Sequence, residues 1–480
     1  MKELARRVLD KLTGRRSVDY ADVRVVETLE QSVHVKNASP ESIASNDSAG
    51  LGLRVVVDGA WGFASTGRLD PDSIDRCIDA ALAVARSSRV AAGPQVRLWP
   101  LDPLEAEYIT PHRQHPMTVP LEQTLATLEQ ACRTMMNEPD VRVAEAFYQA
   151  RHEHKLFVST DDRCLEQTVV ECGGGIAARA VRDGVVQVRS YPNSFRGNIG
   201  TAGYEFFESL GLVDEAARVA SEAAALVQAP VCPAGQFDLV IDPSQLALQV
   251  HESIGHPIEL DRVLGTEAAF AGTSFLAPTD LDTLRYGSDV VNVVADATAP
   301  TGLGTFGFDD EGVAARRQPI VENGIFRGFL SSRETAHVID RPPTGAMRAS
   351  GYGGIPLVRM TNINLLPGSW TLDDLLADTE DGLLLSTNRS WSIDDRRLNF
   401  QFGVEAAWHI KGGKPDTLYR DATYTGITPR FWSACDAVCN ADHWRMWGTP
   451  NCGKGQPMQI ARVGHGTSPA RFRGISVSPA

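Results

Sequence analysis

Residues 229–257 read APVCPAGQFDLVIDPSQLALQVHESIGHP, and the organisation of the chain follows from this stretch. Pro230, Pro233 and Gly235 close off an alanine-rich helical run from Val213 to Gln228, so a domain break is expected here. Immediately after it, Phe237 to Ile241 reads as a buried strand. Asp242-Pro243 then supplies an N-cap followed by proline in the first turn, which opens a helix bearing Leu246 and Val250. That helix runs into His251-Glu-Ser-Ile-Gly-His256-Pro257. The expected domains are 1–229 and 230–480, and 480 residues exceed what one core serves well.

Working towards the N-terminus, strands alternate with helices. Leu121 to Met136 carries Leu121, Leu125, Leu128 and Cys132 at helical spacing. It is followed by strand-like runs at Val141–Phe147, Leu156–Ser159 and Gln167–Cys172. Earlier, Asp58-Gly59 sits between Leu53–Val57 and Ala60–Ser65, a strong hairpin signal. Asp70-Pro71 starts a helix with Ile74, Cys77, Ile78 and Leu82 inward, and Leu4, Val8, Leu9 and Leu12 mark an amphipathic helix at the start of the chain. Towards the C-terminus, Asn323-Gly324 predicts a tight hairpin within Pro319–Leu330. Short strands recur near Val290–Val294, Val358–Asn364, Gly382–Ser386 and Phe400–Ile410. The expected fold class is α+β in two domains: a mixed α/β N-terminal domain and a mainly antiparallel β C-terminal domain that carries the histidine motif.

Composition narrows the function. A hydrophobic share of 43% and a charged share of 22% are those of a soluble globular protein. The net charge of −14 argues against a general nucleic-acid binder, whose affinity needs cationic surface. Eight scattered cysteines do not form a disulfide framework, which points to a reducing cytoplasm. No stretch approaches the roughly 20 apolar residues of a membrane span.

His251, Glu252 and His256 have the residue types of a hydrolytic zinc site. Zinc takes neutral imidazoles, and a carboxylate beside the first ligand can accept a proton from water. The histidines are five apart, however, which places them roughly 140° apart on an ideal helix. Both reach one ion only if the helix ends or bulges between them, and Gly255 and Pro257 offer a local break. Without further context, a polar helix end or a hydrogen-bonded histidine cluster is an equal reading.

The surroundings add a resemblance. His251 to Arg262 (HESIGHPIELDR), Gly265–Phe275 (GTEAAFAGTSF), Gly304–Gly312 (GTFGFDDEG) and Trp391–Phe402 (WSIDDRRLNFQF) resemble the TldD/PmbA family of metallopeptidases, in matching order. So do Gly448–Pro457 (GTPNCGKGQP), Ala470–Arg473 and, in the first half, Gly52–Thr66. The resemblance implies a two-domain subunit of the catalytic, TldD-type kind, which cleaves small or unfolded peptides. It also implies a homodimer, or a heterodimer with a homologous subunit that lacks the motif. The third zinc ligand implied is Cys452, which sits in a Gly/Pro-rich loop beside Lys454, a cation that favours the thiolate. Glu259 is placed as a ligand or as a partner of a ligand histidine.

Other features carry less. Cys435, Cys439 and His443 share helical spacing, but neighbouring Trp432, Val438 and Trp447 suggest packing. His152-Glu153-His154 reads as a solvated strand edge, and Asp309-Asp310-Glu311 as an acidic turn before a strand. Gly173-Gly174-Gly175 lacks the lysine of a phosphate loop, and no serine nucleophile elbow is present. Three functions remain open: the zinc peptidase, a zinc amidohydrolase acting on a modified peptide or small amide, and a binding or scaffold subunit with structural zinc.

Overall fold

Long strands with alternating apolar residues build an eight-stranded sheet in the first half of the chain. Its main order is Ala60–Thr66, Ser39–Val57, Val18–Lys36, Val141–Ser159, Arg163–Arg182, Leu104–Ile109, and Val185–Tyr191 and Asn198–Gly200 also pair with Arg163–Arg182. All pairs are antiparallel except Leu104–Ile109 against Arg163–Thr168. This architecture comes from a computed structural model that describes residues 1–14, 18–90, 93, 95–194, 197–270 and 272–479; Ala271, within the Gly265–Phe275 motif, lies outside them.

Strand alternation explains the sheet's two faces. Val23, Val25, Val33 and Val35 share one parity along their strand, as do Ala144, Ala146, Tyr148, Ala150, Leu156 and Val158 on the next. These residues pack under the helices Lys2–Thr13, Pro71–Val90, Leu121–Met135 and Leu212–Gln228. The other parity is polar: Asp22 and Arg24 on one strand, Gln149, Glu153 and Lys155 on the next, all buried. That is why the separate runs expected at Val141–Phe147 and Leu156–Ser159 are one 19-residue strand. The charged residues between them face the second half of the chain rather than interrupting the sheet. His152-Glu153-His154 is therefore not a solvated edge: it lies in a central strand, with Glu153 paired to Arg151 and Lys155.

The turn signals hold. Asp58 and Gly59 both have positive φ between paired Val57 and Ala60, and Asn323 and Gly324 do the same between Glu322 and Ile325. The Asp70 carboxylate accepts the Ser73 N–H at the start of Pro71–Val90.

In the second half, five strands close into a ring: Asp381–Ile393, Gly235–Ile241, Ala470–Pro479, Ala422–Ile427 and Asn399–Lys411, which pairs back to Asp381–Ile393. Only Gly382–Leu385 against Asp238–Ile241 is parallel. Leu239, Ile241, Phe402, Tyr424 and Phe472 fill this core, with Phe431 stacked on Phe472 at 4.1 Å between centroids. The fold is α+β with a β-rich C-terminal part, as expected.

Two features join the halves. The Asp309–Glu311 turn is buried: Arg54 pairs with Asp22 at 2.7 Å and Glu311 at 3.3 Å, and Asp310 pairs with Lys155 at 2.9 Å. A hairpin of Arg445–Lys454 and Gln459–Thr467 docks on the N-terminal sheet, where the Asn198 side chain donates to the Met446 carbonyl and accepts from the Gly448 N–H. A Cβ on Gly448 would lie 1.9 Å from the Ile199 carbonyl oxygen, so only glycine permits this approach. Gly448→Ala is expected to lower stability by about 1–3 kcal/mol through overpacking, measured by urea denaturation. Unchanged stability would show that the hairpin docks otherwise.

Candidate metal centre

Asp242 caps the helix Pro243–Val250 as expected, its carboxylate accepting the N–H groups of Ser244 and Gln245. The helix does not simply end at the motif. Residues His251–Gly255 form a π-helical turn, in which the His256 N–H donates to the His251 carbonyl five residues back at 3.1 Å. The wider turn cancels the angular offset of a five-residue spacing. The two imidazoles end 4.8 Å apart between centroids, with planes at 88°. Gly255 is required on the inside of the turn, where a Cβ would meet the Met360 sulfur at 2.1 Å.

Cys452 arrives from the docked hairpin. It lies in the strand Arg445–Lys454, paired with Ala461, and the register shifts between Thr449 and Cys452. This corrects the expectation of a loop: the residue is held by a strand with an irregularity at Pro450-Asn451. His251, His256 and Cys452 bring their ligand atoms within 4.8 Å of one another, all buried, and the Cys452 Sγ is 3.6 Å from His256 Nε2.

The cation acting on Cys452 is also corrected. Lys454 points away, donating to Asp261 and to the Val358 carbonyl at 2.7 Å each. Burial pushes the Cys452 thiol up, but Arg359 and His256 outweigh it and the net shift is downward. Arg359 sits against the same residue, donating to its carbonyl at 2.5 Å. Both histidines are driven below their usual pKa, chiefly by burial.

Each imidazole has an outer partner. His256 Nδ1 faces the Glu259 carboxylate at 3.1 Å, leaving Nε2 towards Cys452. Glu259 thus lies behind His256 and outside the His251, His256 and Cys452 group. Burial alone would raise its pKa, yet Lys454, His256 and Arg262 hold it well below the carboxylate range. His251 Nδ1 faces His465 Nε2 at 2.7 Å. Both contacts favour Nδ1–H tautomers and free the Nε2 atoms for a metal. His465 was missed by sequence reasoning, since a lone histidine in Gly464-His-Gly466 carries no spacing signal. Arg397 was also missed as a site residue, although it lies in the Trp391–Phe402 motif. It donates to Glu252 at 2.8 Å from a left-handed turn with φ of 61°.

Neutral imidazoles and a cysteine biased to thiolate are the donor set that zinc takes, so the residues fit the metal that the motif implies. They line a cavity of about 320 Å³ together with Glu252, Arg397, Asn388, Trp391 and Trp447. Among the described residues this is the one such cluster. Cys435 lies in a strand, not on a helix face; it and Cys439 are buried in the core, and His443 accepts the Leu372 N–H.

Comparison with known proteins identifies the family. The PmbA/TldA metallopeptidase C-terminal domain matches residues 234–479, and domain 1 of the same family matches 21–85. The chain belongs to the TldD/PmbA family of metallopeptidases. It is 28% identical over 420 residues to a metalloprotease of Methanocaldococcus jannaschii, covering 88% of this chain and 89% of the relative. In fold it is similar to a Thermotoga maritima protein described as a candidate modulator of a DNA gyrase (TM-score 0.79, 18% identity, 99% of each chain). It is similar also to TldE from Thermococcus kodakarensis (TM-score 0.73, 14% identity, 100% of this chain and 99% of that one).

Cys452→Ser keeps the volume but removes the thiolate. It is expected to lose most bound zinc at neutral pH, read by elemental analysis after dialysis, whereas Cys435→Ser retains it. Full zinc content in the Cys452 variant would remove this residue from the ligand set.

Proposed function

We propose that the chain is a zinc-dependent peptidase of the catalytic TldD type, with His251, His256 and Cys452 as ligands and Glu252 as the proton acceptor. The observation that carries this reading is the convergence of those three donors beside Glu252 on the wall of one cavity. Zinc held there would polarise a peptide carbonyl and bring the pKa of water towards about 7. The chain supplies the rest. Glu259 and His465 fix the two imidazole rings. Arg397 holds one carboxylate oxygen of Glu252, which leaves Oε1 to accept the proton of the attacking water and return it to the leaving amine. Trp391 and Trp447 give the cavity apolar wall for side chains of an extended peptide. A cavity of about 320 Å³ suits small or unfolded peptides and not a folded domain.

The same reading divides the chain at Pro230–Gly235, with residues 230–480 supplying the donors. It makes the protein cytoplasmic, in keeping with eight free, buried cysteines; among the described residues no helix is long and apolar enough to cross a membrane. Its partner is an identical chain or a homologous subunit without the motif, and the family likeness to TldE favours the second.

Glu252→Gln should keep its zinc and lose about 10²–10⁴ in the rate of peptide cleavage, followed by mass spectrometry of a mixed peptide library. Parental rates in that variant would eliminate Glu252 as the base. Sedimentation of the active protein should give at least a dimer; a fully active monomer would refute the assembly.

A further inference from the structure

A second cavity, of about 420 Å³, lies on the other side of Pro450-Asn451, the segment that precedes Cys452 and forms part of both cavity walls. Its floor is the charged face of the N-terminal sheet, with Arg151, Glu153 and Lys155 on one strand. Its roof is Arg348 and Arg462 from the second half of the chain. The charges do not pair off. Arg151 engages Glu30 at 3.0 Å and Glu153 at 2.5 Å, and Lys155 engages Asp310 at 2.9 Å, so the lining carboxylates are all taken by the floor.

The roof is left in excess. Arg348 forms no ion pair among the described residues; its guanidinium donates to the Met360 and Arg462 carbonyls and lies over the Phe306 ring. Arg462 pairs with Glu171 through Nε, and its buried Nη2 has no hydrogen-bond partner. Gln149, 9% exposed, also presents an unpartnered Oε1 among the lining residues. Burial, and after it the nearby Arg359, pushes Arg348 down to about 10, although Asp310, Glu171 and Glu153 pull the other way. A half-buried guanidinium with no directly paired carboxylate, as at Arg348, is costly, and an oxyanion placed between Arg348 and Arg462 relieves it through charge-assisted hydrogen bonds.

We infer that this cavity is a carboxylate subsite for the peptide, taking its C-terminal carboxylate or an acidic side chain. The inference rests on the peptidase reading for the identity of the ligand. The shared wall sets the reach. Cys452 lies two positions after Pro450, so at roughly 3.3 Å per extended residue the carboxylate lies at least about two residues from the bond that is cut. The unpartnered Gln149 oxygen accepts a backbone N–H of the same segment.

The test is calorimetric binding to zinc-loaded Glu252→Gln protein, which does not turn the ligand over. N-acetyl-tetraalanine as free acid is compared with its C-terminal amide, and a Glu-containing peptide amide with its Gln counterpart. The acid of at least one pair should bind about tenfold or more tightly than its neutral partner, and which pair responds identifies the source of the carboxylate. Arg348→Met should bring that acid down to the affinity of its neutral partner, and Arg462→Met serves where the first variant does not fold. Equal binding of acid and amide in both pairs, or no binding of either, overturns the subsite. So does inorganic phosphate binding where no carboxylate peptide does, which would mark a free-anion site. If the acid preference appears while the parent protein cleaves no peptide, the subsite stands and the peptidase reading falls.

Discussion

One hydrogen bond organises the centre of this molecule: the His256 N–H to the His251 carbonyl, five residues back. An α-helical turn would aim the two imidazoles to different sides. The π turn aims them together, and it costs a less favourable backbone geometry that must be held from outside. Three contacts hold it. Met360 fills the space that a side chain at position 255 would take. The Tyr286 hydroxyl donates to the Ser253 carbonyl, and the Trp432 indole donates to the Ser253 hydroxyl at 2.9 Å. The inner side of the turn is thus packed by the core of the second half, while His251, Glu252 and His256 face the cavity.

The N-terminal sheet serves this centre from a distance. Its helix-covered face carries an ordinary apolar core, while its other face is charged and buried against the second half. Such a face is expensive unless each charge is matched, and the Asp309–Glu311 turn does the matching for Arg24, Arg54 and Lys155. Asp309 itself accepts the N–H groups of Glu311, Val313 and Met347. Burial beside Glu311 still raises its pKa to about 7. Through the Asn198 clamp the sheet fixes the hairpin that bears Cys452 and His465, so two of the centre's residues depend on the other half of the chain.

Much of this was legible in the sequence, and for definite reasons. Local chemistry was readable: Asp-Gly, Asn-Gly and Asp-Pro dictate backbone geometry without help from the rest of the fold. The need for a break or bulge between His251 and His256 followed from the helical period, although not which of the two occurs. Long-range contacts were not readable. His465 and Arg397 reach the centre across more than a hundred residues each, and nothing beside them in the chain announces it. The long central strand was read as separate pieces because Gln149 to Lys155 is polar; that polarity reflects a second buried face, which no single-strand pattern reveals. The cation beside Cys452 was assigned to Lys454 by sequence proximity, whereas Asp261 and the Val358 carbonyl, both distant in the chain, take up the Lys454 ammonium.

Charge balance explains why the pKa of Cys452 is lowered despite its burial. Four cations contact the donor residues or one another's partners: Arg262, Arg359, Arg397 and Lys454. Against them stand three carboxylates, Glu252, Glu259 and Asp261. With Cys452 as a thiol, this buried group carries one uncompensated positive charge; with Cys452 as a thiolate, it is neutral. The proton is therefore easier to lose here than in water despite the burial, and Arg359, directly on the Cys452 carbonyl, supplies the largest part of that pull. The histidines meet the opposite constraint, since a second protonation would add charge to a group already balanced, and burial keeps them neutral. The donor set that the proposed zinc site requires, one anionic and two neutral, is thus favoured by the same balance of buried charges.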